Sequence, residues 1–142
     1  EQAVLTLLHQ EPRETVVDEL ASIELRTSSE LDSVVQAIYT RALADPSRCE
    51  YCANVISGLR GRYPVFPPDA GGGPPVSFLR ILLNAVQDEH ERLTGSLNDD
   101  ATATEEERRL RSADGTLEVR KRKDRMLANV TFIGCLFLRQ LL

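Results

Sequence analysis

This 142-residue chain has no tryptophan, only two histidines and only three cysteines. Each shortage closes off a class of function. His9 and His90 lie far apart, and neither sits in a metal or nucleophile motif. Histidine-based catalysis therefore has no constellation to start from. An odd cysteine count argues against a secreted disulfide scaffold and for a reducing, cytoplasmic setting. No N-terminal signal pattern and no long apolar run is present, so no membrane partner is expected. Net charge is −5, which excludes a generic nucleic-acid binder. No stretch alternates with period two between hairpin turns, so no β-sheet is expected.

What is there reads as helix. Hydrophobic residues make up 42% and charged residues 27%, as in ordinary globular proteins, and the length suffices for one domain with a core. Val4, Leu5, Leu7 and Leu8 predict a short helix. Pro12 marks the start of another, along which Val16, Val17, Leu20 and Ile23 recur at helical spacing. Thr27-Ser28-Ser29-Glu30 is a capping box. It leads into Leu31, Val34, Val35, Ile38 and Ala42, an i, i+3, i+4, i+7 stripe. Asp45-Pro46 ends that helix and caps the next, which carries Cys49, Cys52, Ala53, Ile56 and Leu59 and stops at Gly61. Residues 63–75, rich in Pro and Gly, form a loop. Val76, Leu79, Leu82, Leu83, Val86 and Leu93 mark a long amphipathic helix.

Residues 94–117 are polar and charged and read as a disordered or weakly helical insertion. The last helix follows a basic run. About 17 residues remain from Met126 to the end, short for a membrane span and interrupted by Asn129, Thr131, Arg139 and Gln140. Leu127, Val130, Ile133 and Phe137 form one stripe, and Phe132, Leu136 and Leu141 fill its neighbour. A helix this apolar is expected to be covered on several sides. Helices arriving in pairs, at roughly 13–44, 46–93 and from about 117, predict an all-α fold: an α-solenoid of HEAT-like antiparallel pairs. The chain starts at Glu1 without Met and stops inside an apolar helix, as expected of one domain, 1–142, truncated at its C-terminus.

Chemistry-bearing motifs are few. Gly71-Gly72-Gly73 lacks the following Lys and Ser or Thr of a phosphate loop, so it reads as a turn. Cys49-Glu50-Tyr51-Cys52 puts two sulfurs on one helix face, but zinc needs two further ligands and no second pair exists. Core cysteines are the better reading. No catalytic residue, cofactor, metal or small-molecule substrate is expected. The basic run Arg120, Lys121, Arg122, Lys123 and Arg125 reads either as a solvated helix start or as a contact for RNA phosphates. Cations at a helix N-terminus oppose the macrodipole, so helix stability does not account for them. The acidic stretch at Asp99, Asp100 and Glu105 to Glu107 is available to neutralise them.

Three stretches together resemble a known family. Phe78 to His90 is similar to a helix of the form F-x-x-x-L-L-N-x-x-Q-x-E-F. Asn129 to Phe137 is similar to G-N-I-x-F-I-G-E-L-F. Val34 to Asn54, with Ile38-Tyr39, Asp45-Pro46 and Ala53-Asn54, is similar to V-x-x-I-F-x-K-A-x-x-E-P…Y-A-N. This is the middle domain of eukaryotic translation initiation factor 4G, shared with other scaffolds of messenger-RNA metabolism. The resemblance implies a HEAT-repeat crescent, cytoplasmic and non-catalytic, that binds and stimulates the DEAD-box RNA helicase of initiation, factor 4A. RNA and other initiation factors are further implied partners. It also implies that the charged insertion falls at 94–117.

Family members acting in decay, cap binding and splicing share the fold, so an RNA-binding or adaptor module of that kind is the alternative. The matching positions point to Asn54, Asn84, Gln87 and His90 as helicase contacts at helix ends. Leu82, Leu83, Phe132 and Ile133 read as packing. His90 stands where the family has an aromatic, Ala128 where it has Gly and Cys135 where it has Glu. A histidine at the contact makes it sensitive to pH near neutrality.

Overall fold

The computed structural model describes residues 13–68, 70–110 and 113–142. The helix expected at residues 1–9, together with His9 and Pro12, lies outside them. The described chain forms α1 (Arg13–Ser22), α2 (Ser28–Ala44), a 3-10 turn (Pro46–Arg48), α3 (Cys49–Leu59), α4 (Phe78–Thr102), α5 (Glu105–Leu110) and α6 (Ala113–Leu138). Among the described residues there is no strand, and the fold is all-α as expected. An isolated antiparallel bridge between Phe66 and Val76 closes the Pro- and Gly-rich loop.

Local chemistry sets the boundaries. The Thr27 hydroxyl accepts from the Glu30 amide at 3.2 Å while the Glu30 carboxylate accepts from the Thr27 amide at 3.3 Å, completing the capping box. Asp45 accepts from the Ser47 amide at 3.1 Å, and Pro46 follows it in the first helical position. Gly61 ends α3 with a φ of +76°, a conformation other L-residues avoid. Ser77 caps α4 through the Arg80 amide at 3.3 Å.

Hydrogen bonds fix the direction of the α4–α6 pair. Going up α6, Arg122 meets Ser96, Arg125 meets Glu89 and Asn129 meets Val86. Rising numbers on one helix meet falling numbers on the other, so the two run antiparallel. Ile38, Ile56, Leu59, Leu82, Phe132 and Leu136 form a core sealed to 1% exposure or less. The Phe132 ring lies 5.9 Å from that of Tyr39. Emptying such a site costs about 3–5 kcal/mol. α1 meets α3 closely at Gly58, where a Cβ would come within 2.9 Å of the Val17 side chain.

Two expectations are corrected. The last helix is covered on one side only. Ala128, Asn129, Phe132 and Leu136 are buried, whereas Leu127 is 67% exposed, Val130 48% and Phe137 68%. Two apolar stripes, each with one phenylalanine, competed for the core, and the one that shares its face with Asn129 is buried. Leu83 is 47% exposed, because Leu82 and Val86 hold the inward face of α4. The polar stretch 94–117 is helical over most of its described length: α4 runs on to Thr102, α5 occupies 105–110 and α6 begins at Ala113. Good helix formers and a capping arrangement between Thr104 and Glu107 carry it.

Candidate partner-binding faces

Asn84, Gln87 and His90 are all exposed on α4. They share a stripe because residues three apart lie on one face. Gln87 donates to Glu91 at 3.0 Å along that surface. Their place differs from the expected one: α4 continues a further twelve residues to Thr102, so the stripe lies along the helix body and not at its end. The opposite face holds Leu82, Val86 and Leu93 in the core. The stripe can therefore meet a partner without disturbing the fold.

Asn54 does not join them. It is half-buried on α3, and its side-chain oxygen accepts from Arg139 Nε at 2.6 Å. The same guanidinium donates to the Cys135 carbonyl at 2.9 Å and to Glu50 at 3.3 Å. Asn54 thus ties α3 to the end of α6, and Arg60 adds a bond to the Gln140 carbonyl at 3.3 Å.

The basic run sits inside α6, beginning seven residues beyond its start at Ala113, so the dipole penalty of a first turn does not apply. A helix spreads consecutive residues around its axis, and the run is divided accordingly. Lys121 pairs with Glu118 at 3.1 Å, Arg122 donates to Ser96, and Arg125 grips Glu89. Arg120 and Lys123 stay exposed and pair with no described residue. Glu89 is the hub that sequence reading passed over. Two bonds from Arg92 at 2.9 Å, joined by Arg125, hold its carboxyl below the usual carboxylate range. Its place in the Gln-x-Glu pattern was the available signal.

The cysteines are core. Cys49 and Cys52 are sealed, and burial pushes their thiols up to about 11 and about 12. Among the described residues no three His, Cys, Asp or Glu side chains gather as a metal group. No described helix is long and apolar enough to cross a membrane.

An all-α domain that presents open helix faces is what these observations define. The chain is related to eukaryotic translation initiation factor 4G along nearly its whole length. It is 31% identical to the factor from Triticum aestivum over 144 residues and 31% identical to that from Oryza sativa subsp. japonica, and 28% identical to that from Arabidopsis thaliana, in each case over 99% of this chain. The chain spans less than a tenth of the length of these relatives. No family model matches it.

Proposed function

We propose that this chain is a non-catalytic translation initiation scaffold segment, of HEAT-repeat type, that binds and stimulates a DEAD-box RNA helicase of the initiation factor 4A kind in the cytoplasm. The observation that carries the reading is the polar stripe Asn84, Gln87 and His90, exposed on a helix whose other face is core. Asn84 and Gln87 match the family's helix, and His90 stands where that helix carries an aromatic. A preorganised face of this sort lowers the cost of assembling a partner, since its backbone is already ordered. Asn54 takes no part in that face, since its side chain holds Arg139 at the end of α6.

RNA contact through Arg120, Lys121, Arg122, Lys123 and Arg125 is the second reading. Ion pairs and hydrogen bonds within the chain already engage Lys121, Arg122 and Arg125, which favours the helicase. The test is a calorimetric titration against factor 4A from the same organism, with an Asn84, Gln87, His90 triple alanine variant shown to melt like wild type. Weaker binding by the variant and a raised helicase ATPase with the parent chain are the expected results. Unchanged affinity moves the contact elsewhere. Binding of RNA alone, falling steeply with salt, favours the second reading.

A further inference from the structure

Of the chain's seven prolines, Pro64, Pro67, Pro68, Pro74 and Pro75 lie in the loop between α3 and α4. Phe66 and Val76 exchange two backbone hydrogen bonds of 2.9 Å across that loop. In the same antiparallel register the next pairs are Pro67 with Pro75 and Pro68 with Pro74. None of the four has an N–H, so the ladder stops after one bridge and neither arm enters a sheet.

The arm at residues 63–68 has a burial pattern of period three. Tyr63 is 7% exposed and Phe66 packs against the core, while Pro64, Val65, Pro67 and Pro68 are exposed, Val65 by 62%. A strand would turn Val65 to the same side as Tyr63. Three residues per turn is the period of polyproline II, and proline fixes φ close to the value that conformation needs. One edge of this short left-handed turn is anchored. The Tyr63 hydroxyl donates to the Leu20 carbonyl at 2.9 Å, the Tyr63 ring lies 5.3 Å from that of Phe78, and Val76 holds Phe66. The other two edges carry Pro64 in line with Pro67 and Val65 in line with Pro68, each pair about 9 Å apart at the polyproline II rise. The loop joins helix ends, so its exposure does not depend on what packs along the flanks of α4 or α6.

We infer that the arm at residues 63–68 docks in a polyproline II groove of a partner protein, a shallow channel lined by aromatic side chains. The outward edges fit such a groove as two apolar steps, Pro64-Val65 and Pro67-Pro68, with Phe66 between them turned back to the core. Grooves of this class recognise a pair of prolines spaced by three, as Pro64 and Pro67 are. The chain already holds the arm in the docked conformation, so little conformational freedom is lost on binding. The surface is separate from the α4 stripe assigned above to the helicase.

The probe is a set of purified SH3, WW and EVH1 domains, whose grooves take segments of this kind. Each is titrated against the full chain by fluorescence anisotropy, and at least one should bind saturably. Pro64→Ala with Pro67→Ala should weaken that binding about tenfold, the loss expected of a central contact. Val65→Glu should weaken it as well, by setting a charge against the aromatic wall. These three side chains face solvent, so both variants should melt like the parent. Pro74→Ala with Pro75→Ala, on the returning arm, should leave the affinity unchanged. Three results overturn the inference: no domain of the set binds, binding survives Pro64→Ala with Pro67→Ala, or the change at Pro74 and Pro75 costs as much as the change at Pro64 and Pro67.

Discussion

The Tyr39 hydroxyl donates to the side-chain oxygen of Asn129 at 2.5 Å, joining α2 to α6 across ninety positions of sequence. Asn129 is fully buried and also reaches the Val86 carbonyl of α4 at 3.5 Å. One amide therefore serves as a junction for three helices. Burial pushes the Tyr39 phenol far up, which keeps it the donor.

Tyr39→Phe leaves the Asn129 oxygen buried without that donor, which costs about 1–3 kcal/mol. Asn129→Leu removes the acceptor and strands the hydroxyl, with a loss of the same order. The double variant should lose less than the sum of the two, because no polar atom of the pair then remains unpaired. Urea denaturation of all four proteins measures the coupling; strict additivity would show that the bond contributes nothing.

Glu89 makes stability depend on pH in the acid range. Its native carboxyl is held below the usual range, first by the Arg92 hydrogen bonds. A depressed native value means the contribution is complete above the unfolded pKa, about 4.3 for glutamate, and fades as pH falls through the native one. Glu89→Gln should cost about 1 kcal/mol at neutral pH, a modest figure because the arginines are half exposed. The gap between variant and parent should close as pH is lowered. A gap constant with pH would assign the loss to packing.

Gly58→Ala tests the α1–α3 approach. Helix propensity alone favours alanine by about 1 kcal/mol. The new methyl would meet Val17 atoms at 2.9 and 3.1 Å, and a valine in a helix has little freedom to turn away. Overpacking of this kind costs about 1–3 kcal/mol, so the net effect is destabilising. Val17→Ala in the same protein should restore the melting temperature. A Gly58→Ala variant more stable than the parent would show that α1 yields.

The segment between α4 and α6 is expected to be dispensable for folding. Leu93 and Ser96 still engage the rest of the molecule, so the cut belongs beyond them. Glu105, Glu106, Glu107, Arg109 and Leu110 are exposed and add nothing to the core. Deleting 99–114 and bridging with a short Gly/Ser linker should leave the melting temperature nearly unchanged, because the antiparallel helices bring the new ends together. A large drop would mean that α5 packs as part of the fold.

Helix positions were legible in the sequence because their causes are local. The Thr27 box, the Asp45-Pro46 cap and the stripes through Leu31 and Cys52 each depend on residues within a few turns of one another. The cysteines were legible as core for the same reason: both fall on a stripe with Ala53, Ile56 and Leu59. The site was legible only in part. Asn84, Gln87 and His90 were expected at the surface and are there, yet the helix end assigned to them depended on where α4 stops. Its polar tail had no apolar period to show that.

Capping and spacing act between near neighbours, and they were enough to set an all-α chain and the order of its helices. Which side of α6 is buried was settled by long-range packing. Where a helix is apolar nearly all round, its own pattern offers more than one inward face, and the choice falls to distant partners such as Tyr39 and Val86. The same distance hid the fate of Asn54 and the basic run. Whether Asn54 faces a partner or Arg139, and whether Arg125 faces solvent or Glu89, depends on the register of two packed helices, which no single helix encodes.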